Sequence, residues 1–163
     1  KYIKIEPGKS AIWAEYELEY KEYNYPEDLD MVIKLIKDNL ETKFLPTKFR
    51  ENNLGNPMFG HCYHATQALY YFFEHANLKA MSAKCEGPAE VHWWLQDGDT
   101  IIDATAEQYD ILDFNPPYEK GKETNWYGWK KRPHRKTQNL MKIIQPNAKL
   151  KFIKHREKPK QSY

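Results

Sequence analysis

Between residues 11 and 20 apolar and acidic positions alternate, with Ile12, Ala14, Tyr16, Leu18 and Tyr20 on one side and Glu15, Glu17 and Glu19 on the other. A period of two predicts a strand with one wet face. The period then lengthens. Leu29, Val32, Ile33, Ile36 and Leu40 recur at three and four residues behind Pro26-Glu27-Asp28, and proline and acids both suit a helix's first turn, so an amphipathic helix starts there. Ala65, Leu69, Phe72 and Phe73 make a second helical stripe behind Gly60-His61-Cys62. Lys79 to Cys85 predicts a strand. Val91 to Gln96 and Thr100 to Ile102 are β-branched and aromatic runs around Asp97-Gly98-Asp99, which predicts a β-hairpin. Pro133 opens a last helix with Thr137, Leu140, Met141 and Ile144 facing inward and Pro146 at its end. Loops are expected over 45–60, punctuated by Pro46, Asn52, Asn53, Gly55, Asn56 and Pro57, and around Asn115-Pro116-Pro117-Tyr118 and Gly121. The tail from His155 to Tyr163 is expected to be disordered.

These elements predict an α+β chain, and 163 residues suit one domain, spanning 1–154 ahead of the basic tail. A hydrophobic content of 40% with 15% aromatics is that of a globular protein. No apolar run approaches the length of a membrane span, and Lys1-Tyr2-Ile3-Lys4 does not open a signal peptide, so a soluble protein with no membrane partner is expected. Cys62 and Cys85 are the only cysteines. Two are too few for a disulfide scaffold, and they suit a reducing, cytoplasmic setting.

Cys62 stands at the mouth of the second helix, where unpaired backbone N–H groups and the macrodipole favour a thiolate. A cysteine among apolar residues is ordinarily a small buried hydrophobe. The hairpin changes that picture. His92 and Asp103 fall near its open end on neighbouring strands, close enough for an imidazole N–H to meet a carboxylate. Thiolate, imidazole and carboxylate are the three groups that nucleophilic acyl chemistry needs: one attacks, one moves protons, one fixes the imidazole's tautomer. Cys85 has no comparable surroundings and reads as structural.

Gly60 and Cys62 at a helix start, His92 and Trp94 on a following strand, and Asp103-Ala104-Thr105 closing the next resemble the transglutaminase-like branch of the papain-like cysteine enzymes. The matching stretch runs from about Asn56 to Thr105. Val91 departs from the pattern, since many members carry glycine before the histidine. A small chain rich in lysine, asparagine and tyrosine also resembles phage and bacterial proteins. The resemblance implies a papain-like, transglutaminase-like fold in which a nucleophile helix packs on an antiparallel sheet. It implies Cys62 as nucleophile, His92 as base and acid, and Asp103 as orienter, acting on an amide or ester through a thioester with no cofactor and no metal. Hydrolase and acyltransferase members both occur in the branch. The papain-like oxyanion hole pairs the cysteine N–H with an upstream side-chain amide, a role that falls to Asn56 among Asn52, Asn53 and Asn56. Trp94, Trp126 and Trp129 would line or cover the substrate groove.

Two other chemistries compete with this one. His61, Cys62, His64, Cys85 and His92 are potential zinc ligands, but no Cys-x-x-Cys or His-x-x-x-His pair is present, and His64 and His75 fit exposed helix positions. Charge offers a second alternative. The formal net charge is only +2, yet past Gly128 the sole acid is Glu157. Lys130, Lys131, Arg132, Arg135 and Lys136, beside Trp126 and Trp129, would suit a non-catalytic binding module for nucleic acid or an acidic protein. The same basic segment would equally suit packing against Glu15, Glu17 and Glu19.

Overall fold

The computed structural model describes residues 2–7, 12–85, 90–112, 114–126 and 133–157, with the backbone alone over 2–7, 12–18 and 149–157. The described chain is α+β, built on two antiparallel sheets. The first joins β1 (Tyr2–Pro7), β2 (Ile12–Glu19) and β7 (Lys149–Glu157) in the order β1-β2-β7. The second orders β5 (Thr100–Ile102), β4 (Val91–Asp97), β3 (Lys79–Lys84) and β6 (Lys122–Glu123) as β5-β4-β3-β6. The helices are α1 (Leu29–Asp38), α2 (Thr47–Leu54), α3 (Cys62–Phe72), α4 (Gln108–Ile111) and α5 (Arg135–Ile144).

Helix α3 is the centre of the core, because its stripe is apolar on nearly every turn. Ala65, Ala68, Leu69 and Phe72 are fully buried, as is Phe73 just beyond its end, among Val32 and Ile36 of α1, Trp93 and Leu95 of β4, and Leu140 and Met141 of α5. Each large apolar side chain buried in this way contributes about 1.5–3 kcal/mol. Polar ties fix the packing direction. Gln67 of α3 accepts at Oε1 from the His134 N–H and the Thr137 hydroxyl, both at 2.7 Å, and so holds the start of α5 against α3. Thr66 Oγ1 donates to the Trp93 carbonyl at 3.1 Å, locking α3 to β4.

Three expectations need correction. Residues 45–60 are not all loop, since α2 forms behind Pro46 from a mostly polar run that has no apolar stripe to reveal it. Strand β7 continues to Glu157, so His155 to Glu157 belong to a sheet. The third concerns His64, which is largely buried: its Nδ1 lies 3.3 Å from Thr137 Oγ1 and its ring 5.0 Å from that of His134. Among the described residues no helix is long and apolar enough to cross a membrane.

Candidate active site

The thiol is delivered by a turn that only glycine makes cheaply. Gly60 has φ +80°, and a Cβ there would sit 3.1 Å from Leu45 Cδ2 and 3.3 Å from Phe49 Cβ. The chain then enters α3 at Cys62, which is 7% exposed, and its Sγ donates weakly to the Val91 carbonyl at 3.6 Å. The start of α3 is thereby placed at the first residue of β4. His92 is the next residue along.

The β4–β5 register, with Leu95 opposite Ile102, sets Asp103 just past the hairpin's second strand and beside His92. His92 Nε2 lies 2.6 Å from Asp103 Oδ2, and both side chains are almost wholly out of water. With Nε2 committed to the carboxylate, Nδ1 is the nitrogen left for Cys62. Burial alone would lower the imidazole's pKa, but its hydrogen bonds to Asp103 and with Cys62, and the charges of both, outweigh it and push the pKa up to about 9. The structure therefore brings Cys62, His92 and Asp103 into one interacting unit. His92 is the link.

Asp103 accepts at both oxygens. Oδ1 takes the Thr105 N–H at 3.0 Å and the Thr105 hydroxyl at 3.4 Å, while Oδ2 takes the Tyr118 hydroxyl at 2.6 Å as well as His92. Tyr118 begins a 3-10 turn, Tyr118–Lys120, whose ring meets Trp94 edge-on at 5.1 Å. Trp94 in turn stacks on His92 at 5.7 Å and 24°. Gly121 closes over Trp94 so tightly that a Cβ would lie 2.4 Å from its Cζ2. Trp94 has no exposure, so it backs the imidazole instead of lining an open groove.

Helix α4 closes the opposite side. Gln108 Nε2 bonds the Thr105 carbonyl and hydroxyl, both at 3.2 Å, and lies 3.4 Å from His92 Nδ1. The ring of Tyr109 meets His92 edge-on at 5.0 Å, and its hydroxyl is set beside the Cys85 thiol, whose pKa burial pushes up. Cys85 is thus a neighbour of the site through Tyr109. Tyr118, Gln108 and Tyr109 lie beyond the hairpin motif, in segments with no strong periodicity that would have pointed to them.

The other candidate positions are arranged differently. Asn56 is buried, and its Nδ2 donates to the Gln108 carbonyl at 2.7 Å, tying the loop before Cys62 to α4. Asn53 Nδ2 is likewise engaged by the Phe59 and Pro57 carbonyls, and Asn52 is exposed. Trp126 stacks on Trp93 at 5.3 Å and 22°. Adjacent strand residues face opposite sides, so Trp126 lies across β4 from His92, as a cover on the core. Trp129, Lys130, Lys131 and Arg132 fall outside the described residues, and Arg135 and Lys136 occupy the first turn of α5. A cavity of about 740 Å³ lies elsewhere, between residues 19–24 and 145–148, and is lined by none of Cys62, His92 and Asp103. His61, 1% exposed and with both ring nitrogens unpartnered, is pushed down to about 4 by burial. Burial, with the charges of His134, Lys136 and His61, pushes His64 down to about 3. Among the described residues no three of His, Cys, Asp or Glu form a metal-ligating group. Comparison of the chain with protein-family models, with curated proteins and with solved structures finds no match.

Proposed function

We propose that this protein is a cysteine-dependent acyl hydrolase or acyltransferase of papain-like, transglutaminase-like architecture, with Cys62 as nucleophile, His92 as proton carrier and Asp103 as orienter. One observation carries the reading: a wholly buried imidazole is held between a helix-start thiol and a carboxylate 2.6 Å away. Burying a cationic imidazole costs free energy unless it is paired on both sides, and His92 is. In the proposed cycle the Cys62 thiolate attacks the carbonyl carbon of an amide or ester. His92 gives its Nδ1 proton to the departing amine or alcohol, leaving a thioester on Cys62 and a neutral imidazole. Water or a second nucleophile then loses a proton to His92 as it attacks the thioester. The acid or transferred acyl product leaves, and the thiolate–imidazolium pair is restored.

The deciding experiment is alkylation by iodoacetamide, with the modified residue located by mass spectrometry, in the parent and in His92→Ala. Cys62 is expected to label fast at neutral pH and about tenfold or more slower without His92, with Cys85 inert in both. Labelling of Cys62 at an ordinary thiol rate that ignores His92 would overturn the proposal.

A further inference from the structure

We infer that Tyr118 is a positioning residue of the Cys62–His92–Asp103 unit, acting on His92 by competing for the carboxylate oxygen that His92 uses. The inference rests on the catalytic reading above for its meaning, though not for its measurement. Two donors converge on Asp103 Oδ2, the Tyr118 hydroxyl and His92 Nε2, each at 2.6 Å. The other oxygen is held separately by Thr105. That division matters, because removing the phenol hydroxyl leaves the carboxylate tethered through Oδ1. What changes is the negative charge that Oδ2 offers to the imidazolium.

A hydrogen bond to a carboxylate draws charge from the oxygen that accepts it, and a neighbouring cation is then held less strongly. Tyr118 therefore moderates the grip of Asp103 on His92. It can do so throughout the working pH range, since burial and the Asp103 charge push its own pKa well above the usual tyrosine value. The other titratable groups around His92 are Cys62 from α3 and Tyr109 from α4, with Cys85 behind Tyr109. None of these donates to Oδ2. The ring of Tyr118 has a separate task, packing edge-on against Trp94, and a phenylalanine keeps that contact.

The test is an NMR titration of the His92 imidazole in the whole protein and in Tyr118→Phe, alongside the pH profile of Cys62 acylation by p-nitrophenyl acetate. Loss of the hydroxyl is expected to raise the His92 pKa by about half to one unit and to move the alkaline limb of acylation up with it. Replacing Tyr118 with 3,5-difluorotyrosine, a stronger donor with the same ring, should move both the other way. This reversed shift also decides the matter if the phenylalanine variant fails to fold. A His92 titration unchanged by either replacement, or one that falls in Tyr118→Phe, would overturn the inference. If the parent is not acylated at Cys62, the catalytic reading fails alone, and the His92 shifts still judge Tyr118.

Discussion

Replacing Gly121 with alanine tests whether the imidazole has a rigid back wall. The backbone there has φ −62° and ψ 139°, which alanine adopts freely, so the cost is purely steric. The new Cβ would lie 2.4 Å from Trp94 Cζ2, 2.8 Å from Cη2 and 3.0 Å from the Tyr118 carbonyl, all well inside the ordinary contact distance of about 3.5–4.0 Å. Trp94 has no exposure and stacks on His92, so it has nowhere to retreat without disturbing the site. Overpacking of this kind costs about 1–3 kcal/mol, offset by about 0.4–1 kcal/mol because alanine restricts the unfolded chain. The net expectation is a loss of about 1–2 kcal/mol, read in urea unfolding, and a melting temperature lower by about 3–6 °C. Gly55→Ala is the matched control. It caps α2 at φ −99° with nothing within 4 Å of a new Cβ, and should stabilise by about 0.4–1 kcal/mol. Equal unfolding midpoints for Gly121→Ala and the parent would refute the idea that Trp94 is wedged between Gly121 and His92.

Asp103→Asn keeps the shape but removes the charge that offsets the burial of His92, so the imidazole pKa should drop by about two units by NMR and acylation of Cys62 should fall about 10³–10⁴-fold. Thr66→Val deletes the hydroxyl that meets the buried Trp93 carbonyl and should cost about 1–2 kcal/mol in denaturant unfolding, while Cys62 keeps its alkylation rate. Stability should peak near pH 6.5 in urea midpoints taken from pH 4 to 9. The contribution of His92, whose folded pKa is raised, is complete below its unfolded value of about 6.5 and is lost as pH rises towards about 9; His61 and His64 are held neutral, so stability falls as pH drops from about 6.5 through about 4 and 3, and His61→Leu should flatten that acid arm.

The parts of the fold with strong periods were legible. The α3 stripe, the α1 stripe and the hairpin around Gly98 are local patterns, and the His92–Asp103 contact followed because a hairpin fixes which residues meet at its open end. Helix α2 was hidden because Thr47-Lys48-Phe49-Arg50-Glu51-Asn52-Asn53-Leu54 has no apolar face, and its Asn53 is held by bonds to the following turn. The two residues of β6 are too few to show alternation. Trp94 and Trp126 were legible as important but not by role, since density of aromatics does not say which face of β4 each one takes. Tyr118 is fifteen residues beyond Asp103 and meets it only through a turn that no sequence period encodes.

The charge segregation along the chain finds a structural outlet in the first sheet. Strand β2 is the acidic strand near the start and β7 the basic strand near the end, and their register puts Glu15 opposite Lys154, Glu17 opposite Lys151 and Glu19 opposite Lys149. Like charges directly opposite one another destabilise an antiparallel pair, whereas opposite charges favour it. Two strands about 130 residues apart in sequence are thus neighbours in one antiparallel sheet. Where these strands meet the rest of the protein, Gln145 clasps Lys21, accepting its N–H at 2.9 Å and donating to its carbonyl at 2.7 Å. The case for function rests on the thiol at the start of α3 and on the imidazole and carboxylate of the β4–β5 hairpin.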